Sequence, residues 1–145
     1  MSEKIIYTDM VADLLHFGHL KYLTNIYNSF VKNTNNKLYV GIHNDQDVLS
    51  YKRKPILSMK ERIKILEYFP FIDKLIPNAP VTITEEYINL HNINVLCVPK
   101  NRTSQELELM YKIPIQLGVK IKYFEYCKEI STSDIIQRIK NRDDL

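Results

Sequence analysis

No apolar run in this sequence reaches the ~20 residues that a membrane-spanning helix needs; Lys, Asn or Asp breaks each one well short of it. Met1-Ser2-Glu3-Lys4 lacks a secretory pattern, and no amphipathic lipid-sensing stretch follows the last predicted helix, where Asn141-Arg142-Asp143-Asp144-Leu145 is purely polar before its final leucine. A cytoplasmic protein free of membrane control is therefore expected. Charge of one sign is also missing. With 20 Lys+Arg against 17 Asp+Glu, the formal net charge of +3 gives no electrostatic case for nucleic acid. Cysteine is scarce: Cys97 and Cys127 have no metal-finger spacing. Both fall in strand-like segments, as small buried hydrophobes do, so a disulfide is not expected. Internal repeats and low-complexity segments are absent too.

What the chain does have is 145 residues at 45% hydrophobic content, enough for one core and too short for two, so residues 1–145 are expected to form a single domain. Lys4 to Thr8 reads as a strand. Leu20, Leu23, Ile26, Tyr27 and Phe30 then recur near a helical period, from Gly18 until Asn33 to Asn36 break it. Leu38 to Ile42 is a second strand. Ser58-Met59-Lys60-Glu61 is a capping box, predicting a helix through Ile63 and Leu66 to about Tyr68. Prolines at 70, 77 and 80 punctuate the next segment. Thr84-Glu85-Glu86 opens a short helix to about Asn92, Val95 to Val98 is a strand buried on both faces, and Lys120 to Tyr126 is the last strand. Ser131-Thr132-Ser133-Asp134 repeats the capping logic ahead of a terminal helix bearing Ile135, Ile136 and Ile139. The expected fold class is α/β: one Rossmann-like domain with a mostly parallel five-stranded sheet flanked by helices on both faces, and its ligands at the strands' carboxyl ends.

Asp13-Leu14-Leu15-His16-Phe17-Gly18-His19 follows the first strand and enters the first helix, where free amides and the helix dipole favour phosphate. Gly18 permits close backbone approach, and His16 and His19 are placed to donate to phosphate oxygens. Taken alone, the two histidines serve equally well to close a loop and start a helix. A zinc site would need a third ligand, and neither His43 nor His91 brings a carboxylate or Cys set with it. No protein-held metal is expected.

The Asp13 to His19 motif resembles that of the HxGH nucleotidyltransferases, and within them the cytidylyltransferases acting on phosphoethanolamine, phosphocholine and glycerol 3-phosphate. The resemblance continues along nearly the whole chain. Val40 to Asp45 resembles the family's second-strand motif, Tyr51-Lys52-Arg53-Lys54-Pro55 with Glu61-Arg62 its lysine loop and following helix, Asn78 to Thr84 a segment of the phosphocholine and phosphoethanolamine enzymes, and Ile130 to Ser133 the end of a carboxy-terminal signature.

The resemblance implies that His16 and His19 stabilise a transition state and that Lys52 bridges the reacting phosphates. It implies a nucleotide site drawn from Val11, Ala12, Gly18, Lys100, Asn101, Lys128, Ile130, Ser131 and Thr132, and an acceptor site of Asp13, Arg62 and Val81. CTP and a small phospho-alcohol are the implied substrates, with Mg²⁺ held mainly by phosphates and water, and a homodimer as the implied assembly. For Arg62 an ion pair confined to its own helix is the competing expectation. Ser131 can be cap and ligand site at once.

Several positions depart from the family's pattern. Met10 stands where the family has a glycine able to take positive φ, so the loop keeps an ordinary conformation or is reshaped. Pro99-Lys100-Asn101 replaces an acidic loop, and Pro70 an arginine near the dimer contact. Val81 replaces an aromatic residue of the kind that holds a quaternary ammonium, which disfavours phosphocholine and leaves a phosphoethanolamine-like acceptor preferred. Glu129 replaces a glycine and is unfavourable beside a triphosphate unless it points away. The expected function is cytidylyl transfer from CTP to a small phosphorylated alcohol. An adenylyltransferase of the same fold and a nucleotide-binding module without turnover are the alternatives.

Overall fold

The computed structural model of the protein describes residues 2–145, and its elements alternate as the apolar segments dictate. In chain order they are β1 (Ile5–Met10), α1 (Phe17–Phe30), β2 (Lys37–Ile42), α2 (Asp45–Leu49), α3 (Met59–Leu66), β3 (Lys74–Ile76), α4 (Glu85–His91), β4 (Ile93–Pro99), α5 (Ser104–Gln116), β5 (Lys120–Phe124) and α6 (Thr132–Lys140). The strands form one sheet in the order β3-β2-β1-β4-β5, and every pairing is parallel. β1 lies at its centre and is buried at all six positions.

Alternation along the strands divides the core in two. Ile6, Met10, Val40, Val95 and Cys97 face α1 and α3, packing with Leu23, Ile26 and Leu66. Tyr7, Leu96 and Val98 face the opposite way, against Ile88 of α4 and Met110 and Tyr111 of α5. Helices thus cover both faces, and the carboxyl ends of β1, β4 and β5 open onto one crevice where the strand order reverses. Among the described residues no helix is long and apolar enough to cross a membrane.

Several elements differ from the sequence-based expectations. β3 is only three residues long and sits among the prolines, too short to show a period. α2 lies within the polar stretch after β2, its start fixed by Asn44 accepting the Asp47 amide at 2.7 Å. α5 holds Pro114, which breaks a helical reading of the sequence. Proline removes the amide that would bond the Met110 carbonyl, and the Ile83 amide takes that carbonyl instead, at 3.0 Å. β5 ends at Phe124, so Cys127 lies in the following loop rather than in a strand. Both cysteines are free thiols, Cys97 buried and Cys127 half-buried.

The Ser58 capping box forms as read, whereas at Ser131 only the N-cap half of the pattern is present. Ser58 Oγ accepts from Glu61 N–H at 3.2 Å while Glu61 accepts from Ser58 N–H at 3.0 Å. Ser131 accepts from the Asp134 amide at 3.1 Å.

Gly41 permits the closest crossing in the sheet. A Cβ there would lie 2.1 Å from the Tyr7 hydroxyl and 2.6 Å from Ala79 Cβ, in the path by which Tyr7 reaches the Tyr87 hydroxyl at 3.0 Å. Gly41→Ala is expected to lower stability by about 1–3 kcal/mol through overpacking, read as a reduced urea midpoint with an unchanged m-value.

Candidate active site

The crevice is a cavity of about 360 Å³, walled by the loops that follow β1, β4 and β5 and by the turn after α2. Its floor begins with the β1–α1 loop. Met10 completes the strand in ordinary conformation, and the left-handed positions fall instead on Ala12 (φ 58°) and Leu14 (φ 47°), on either side of Asp13. Such backbone costs on the order of 1–2 kcal/mol per non-glycine residue, so the surroundings must impose it.

Asp13 supplies that restraint. Its carboxylate, 5% exposed, accepts the amides of Ile56 at 2.8 Å and Leu57 at 2.9 Å. Its carbonyl accepts the Thr132 hydroxyl at 2.8 Å. One residue therefore fastens the β1–α1 loop to the lysine-bearing loop and to the start of α6.

Arg62 reinforces the same junction. Fully buried, it donates to the carbonyls of Val11 at 2.6 Å and Leu57 at 3.1 Å and to the Asp45 carboxylate at 2.7 Å. That is neither an ion pair within its own helix nor a position in the cavity wall. Both expectations for Arg62 give way to a structural one: the guanidinium is occupied by two backbone carbonyls and the Asp45 carboxylate, and any effect on a ligand passes through the loop it holds.

His16 and His19 meet at the mouth of α1. His16 is the N-cap residue, its Nδ1 accepting the Gly18 amide at 3.1 Å, and His19 Nδ1 accepts the His16 amide at 3.2 Å. The rings lie 3.9 Å apart between centroids. Because both Nδ1 atoms accept, both imidazoles carry their proton on Nε2, and both are neutral donors. Burial, the adjacent His16 and the Lys52 ammonium push the His19 pKa down from 6.5 to about 3. Burial also lowers that of His16. Gly18 is required here, since a Cβ would stand 2.8 Å from the His16 ring and 3.3 Å from Ile130.

Lys52 stands over the same histidines, its backbone amide tied to the Val48 carbonyl at 2.8 Å. Desolvation first, then the charges of Arg102 and Arg53, lower its pKa. Its neighbour Arg53 reaches Ser133 Oγ at 3.2 Å, closing the cavity between the lysine loop and α6.

Of the residues predicted from sequence, Val11, Ala12, Asp13, His16, Gly18, His19, Lys52, Asn101, Ile130, Ser131 and Thr132 all line this cavity. Lys100, Lys128, Arg62 and Val81 do not. Lys100 pairs with Glu125 at 2.5 Å on the surface, Lys128 is exposed beyond it, and Val81 packs against the core beneath α4 and α5. Glu129 points away from the wall to Lys21, at 3.6 Å.

Sequence reasoning missed a buried polar layer that reaches the cavity wall through Asp9. The Tyr111 hydroxyl donates to Asp9 Oδ1 at 3.3 Å, Asp9 Oδ2 lies 3.5 Å from His43 Nε2, and His43 Nδ1 is 2.8 Å from the Tyr51 hydroxyl. Arg102 lies beside this layer and lines the cavity. Its position directly after a parallel strand was a usable signal. Asp9 gave none: it lies one residue past the strand read from Lys4 to Thr8, and only the structure extends β1 through it to Met10.

Among proteins of known function, the family model described as cytidylyltransferase-like matches residues 8–138. Choline-phosphate cytidylyltransferase 2 of Arabidopsis thaliana is 34% identical over 137 residues, covering 92% of this chain and 44% of the relative. Ethanolamine-phosphate cytidylyltransferase of Dictyostelium discoideum is 27% identical over 136 residues, covering 92% and 36%. The chain thus spans less than half the length of these relatives. The solved structure of the lipopolysaccharide core biosynthesis protein from Thermoplasma volcanium GSS1 superposes with a TM-score of 0.67 at 20% identity, covering 88% of this chain and 98% of that one, which is a likeness of fold.

The His19 shift sets a pH dependence. A histidine whose folded pKa lies below its ordinary 6.5 contributes stability that is present above pH 6.5 and lost as pH falls toward 3, because the unfolded chain takes up the proton first. Thermal unfolding is expected to shift to lower temperature between pH 6.5 and pH 4. In His19→Asn, which keeps an acceptor for the His16 amide, that dependence flattens; an unchanged slope would contradict the assignment.

Proposed function

We propose that this chain, which belongs to the cytidylyltransferase-like family, transfers the cytidylyl group of CTP to a small phosphorylated alcohol, yielding a CDP-alcohol and pyrophosphate. The observation that carries this reading is the pairing of two neutral Nε2–H donors, from His16 and His19, with the Lys52 ammonium over one helix start. That arrangement suits a reaction in which negative charge moves between phosphates and no proton has to be removed.

The acceptor's phosphate oxygen is already ionised at neutral pH and needs no general base. It attacks the α-phosphorus in line, a new O–P bond forms, and the bond from the α-phosphorus to the α,β-bridging oxygen breaks, with pyrophosphate leaving with the electron pair. The histidines donate to the phosphate oxygens that gain charge, and the preorganised helix start adds its free amides. Lys52, on a flexible stem, follows the charge as it passes from the α-phosphate to the leaving group. The Ser131 hydroxyl and the backbone amide of Thr132 at the start of α6 complete the donor set for the triphosphate, the Thr132 hydroxyl being held by the Asp13 carbonyl.

Mg²⁺ bound to the triphosphate would neutralise its β- and γ-phosphates. The residues present fit that mode better than a protein cage. Among those described, no cluster of three or more His, Cys, Asp or Glu is arranged for a metal. The Asp13 carboxylate is taken by two amides and that of Glu125 by Lys100. The choice of cytosine is supported by the names of the relatives, which are cytidylyltransferases. The sequence-based preference for phosphoethanolamine over phosphocholine loses its basis, because Val81 lies outside the cavity wall.

Pure protein with CTP, Mg²⁺ and a panel of phospho-alcohols is expected to release pyrophosphate with a CDP-linked product. CTP is expected to raise the melting temperature above the shift given by ATP, since a ligand at a hundredfold excess over Kd adds about 2.7 kcal/mol. His16→Ala is expected to lower kcat by about 10²- to 10³-fold. Equal or larger shifts with ATP would move the reading to adenylyl transfer, and CTP binding without product would reduce it to a binding module.

A further inference from the structure

Lys52, unlike the two histidines and Ser131, is fixed by no helix start. Among the described residues its ammonium enters none of the ion pairs of the fold. Arg102 and Arg53, both in the cavity wall, repel it. A lysine on a four-carbon stem with no carboxylate to anchor it keeps its place through its backbone alone.

That backbone is held from two sides. On the carboxyl side the amides of Ile56 and Leu57 end on Asp13. On the amino side the amides of Tyr51 and Lys52 share one acceptor, the Val48 carbonyl, at 3.2 and 2.8 Å. Those bonds are local to the turn after α2. What ties this side of the turn to the sheet is the Tyr51 side chain, whose hydroxyl lies 2.8 Å from Nδ1 of the fully buried His43. The two rings meet edge-on, at 80°.

His43 is itself registered to the central strand. It directly follows β2, and its amide donates to the Met10 carbonyl at 3.2 Å, extending the β1–β2 pairing past Ile42. Its Nε2 faces Asp9 Oδ2 at 3.5 Å, and neither atom has a hydrogen-bond partner elsewhere. A neutral ring with its proton on Nε2 suits both neighbours: the N–H faces the carboxylate, and Nδ1 accepts the phenol proton. Burial pushes the Tyr51 pKa up to about 12, so the phenol keeps that proton. Tyr111 holds the other carboxylate oxygen of Asp9. Carboxylate, imidazole and hydroxyl in this order activate a nucleophile where the hydroxyl faces a substrate. Tyr51 is not among the residues that line the cavity, so here the chain of groups holds rather than reacts.

We propose that the buried chain Asp9–His43–Tyr51 is a positioning device for Lys52, fixing the root of the lysine to β1, the strand that also launches the histidine-bearing loop. This rests on the cytidylyl-transfer reading of the same cavity. Ammonium and imidazoles are then referred to one strand, although more than thirty residues separate them along the chain. The lysine stem stays free to follow charge between phosphates while its root is held. Buried polar groups bonded in series restrain one another, which suits them to this task.

The test is pyrophosphate release by the full chain with CTP, Mg²⁺ and the phospho-alcohol that wild type turns over fastest. Tyr51→Phe removes one oxygen. It is expected to lower kcat about tenfold with the KM for CTP changed less than about twofold, since a misplaced group costs transition-state stabilisation rather than ground-state binding. His43→Gln keeps an N–H for Asp9 and removes the acceptor for Tyr51; it is expected to match that loss, with the double variant no slower than either. A Lys52→Ala background shows whether the effect runs through the ammonium. There Tyr51→Phe is expected to cost nothing further, whereas a merely structural role would lower the residual rate by the same factor. An equal loss in both backgrounds, or a wild-type kcat in Tyr51→Phe, would overturn the proposal. Should wild type release no pyrophosphate with any acceptor, hydrogen exchange of the Lys52 amide separates the two readings. Faster exchange in Tyr51→Phe keeps the anchor and removes the reaction, whereas unchanged exchange removes both.

Discussion

Two backbone amides, those of Ile56 and Leu57, end on the carboxylate of Asp13, and the position of Lys52 relative to the histidines depends on that attachment. The β1–α1 loop carries the histidines, and the segment after α2 carries Lys52. They are more than thirty residues apart in sequence, and without a fixed junction the ammonium would wander relative to the imidazoles. Asp13 joins them, and the Thr132 hydroxyl on its carbonyl adds the start of α6. Arg62 then closes the junction from beneath by satisfying the carbonyls of Val11 and Leu57. The left-handed backbone at Ala12 and Leu14 is the strain this attachment imposes. A buried charge with partners on three segments is costly to break and has little freedom to move. The loop is therefore rigid where the family chemistry needs exact distances.

Helix capping and the proposed phosphate chemistry use the same two side chains here, through opposite ring nitrogens. His16 and His19 satisfy backbone amides through Nδ1, which fixes their tautomers and leaves both Nε2–H groups free. Burial first, then the adjacent His16 and Lys52, lower the pKa of His19. A neutral donor can stabilise developing charge without first being deprotonated, so the site works by placement. In the same cavity wall the start of α5 uses a comparable device, its capping Glu106 accepting from Arg102.

Much of this was legible in the sequence because it is local. The capping box at Ser58, the periodic Leu23 and Ile26 of α1 and the unbroken apolar run at Val95 each need only a few neighbouring residues to be recognised. The strand-then-motif order also placed His16, His19 and Lys52 on one side of the sheet. What stayed hidden depends on distant partners. α5 tolerates Pro114 only because Ile83, thirty residues earlier, takes the carbonyl it frees. Arg62 reads as one more charge on a helix until Val11 and Asp45 are folded around it. Asp9 and Arg102 each lie just past a segment that reads as a strand, and only the fold brings Tyr111 to the one and Glu106 to the other. Val81 shows the opposite error: a position read from resemblance as lining the acceptor pocket packs into the core instead.

The central claim is that the cavity transfers a cytidylyl group directly between two bound phosphates, by placement and charge, with no covalent enzyme intermediate. The stereochemical course at phosphorus tests it most directly. With CTP made chiral at the α-phosphorus by one sulfur, and a phospho-alcohol as acceptor, a single in-line displacement yields product of inverted configuration. Inversion is the result this account predicts. Retention would require two successive displacements through an enzyme-bound nucleotide and would contradict it.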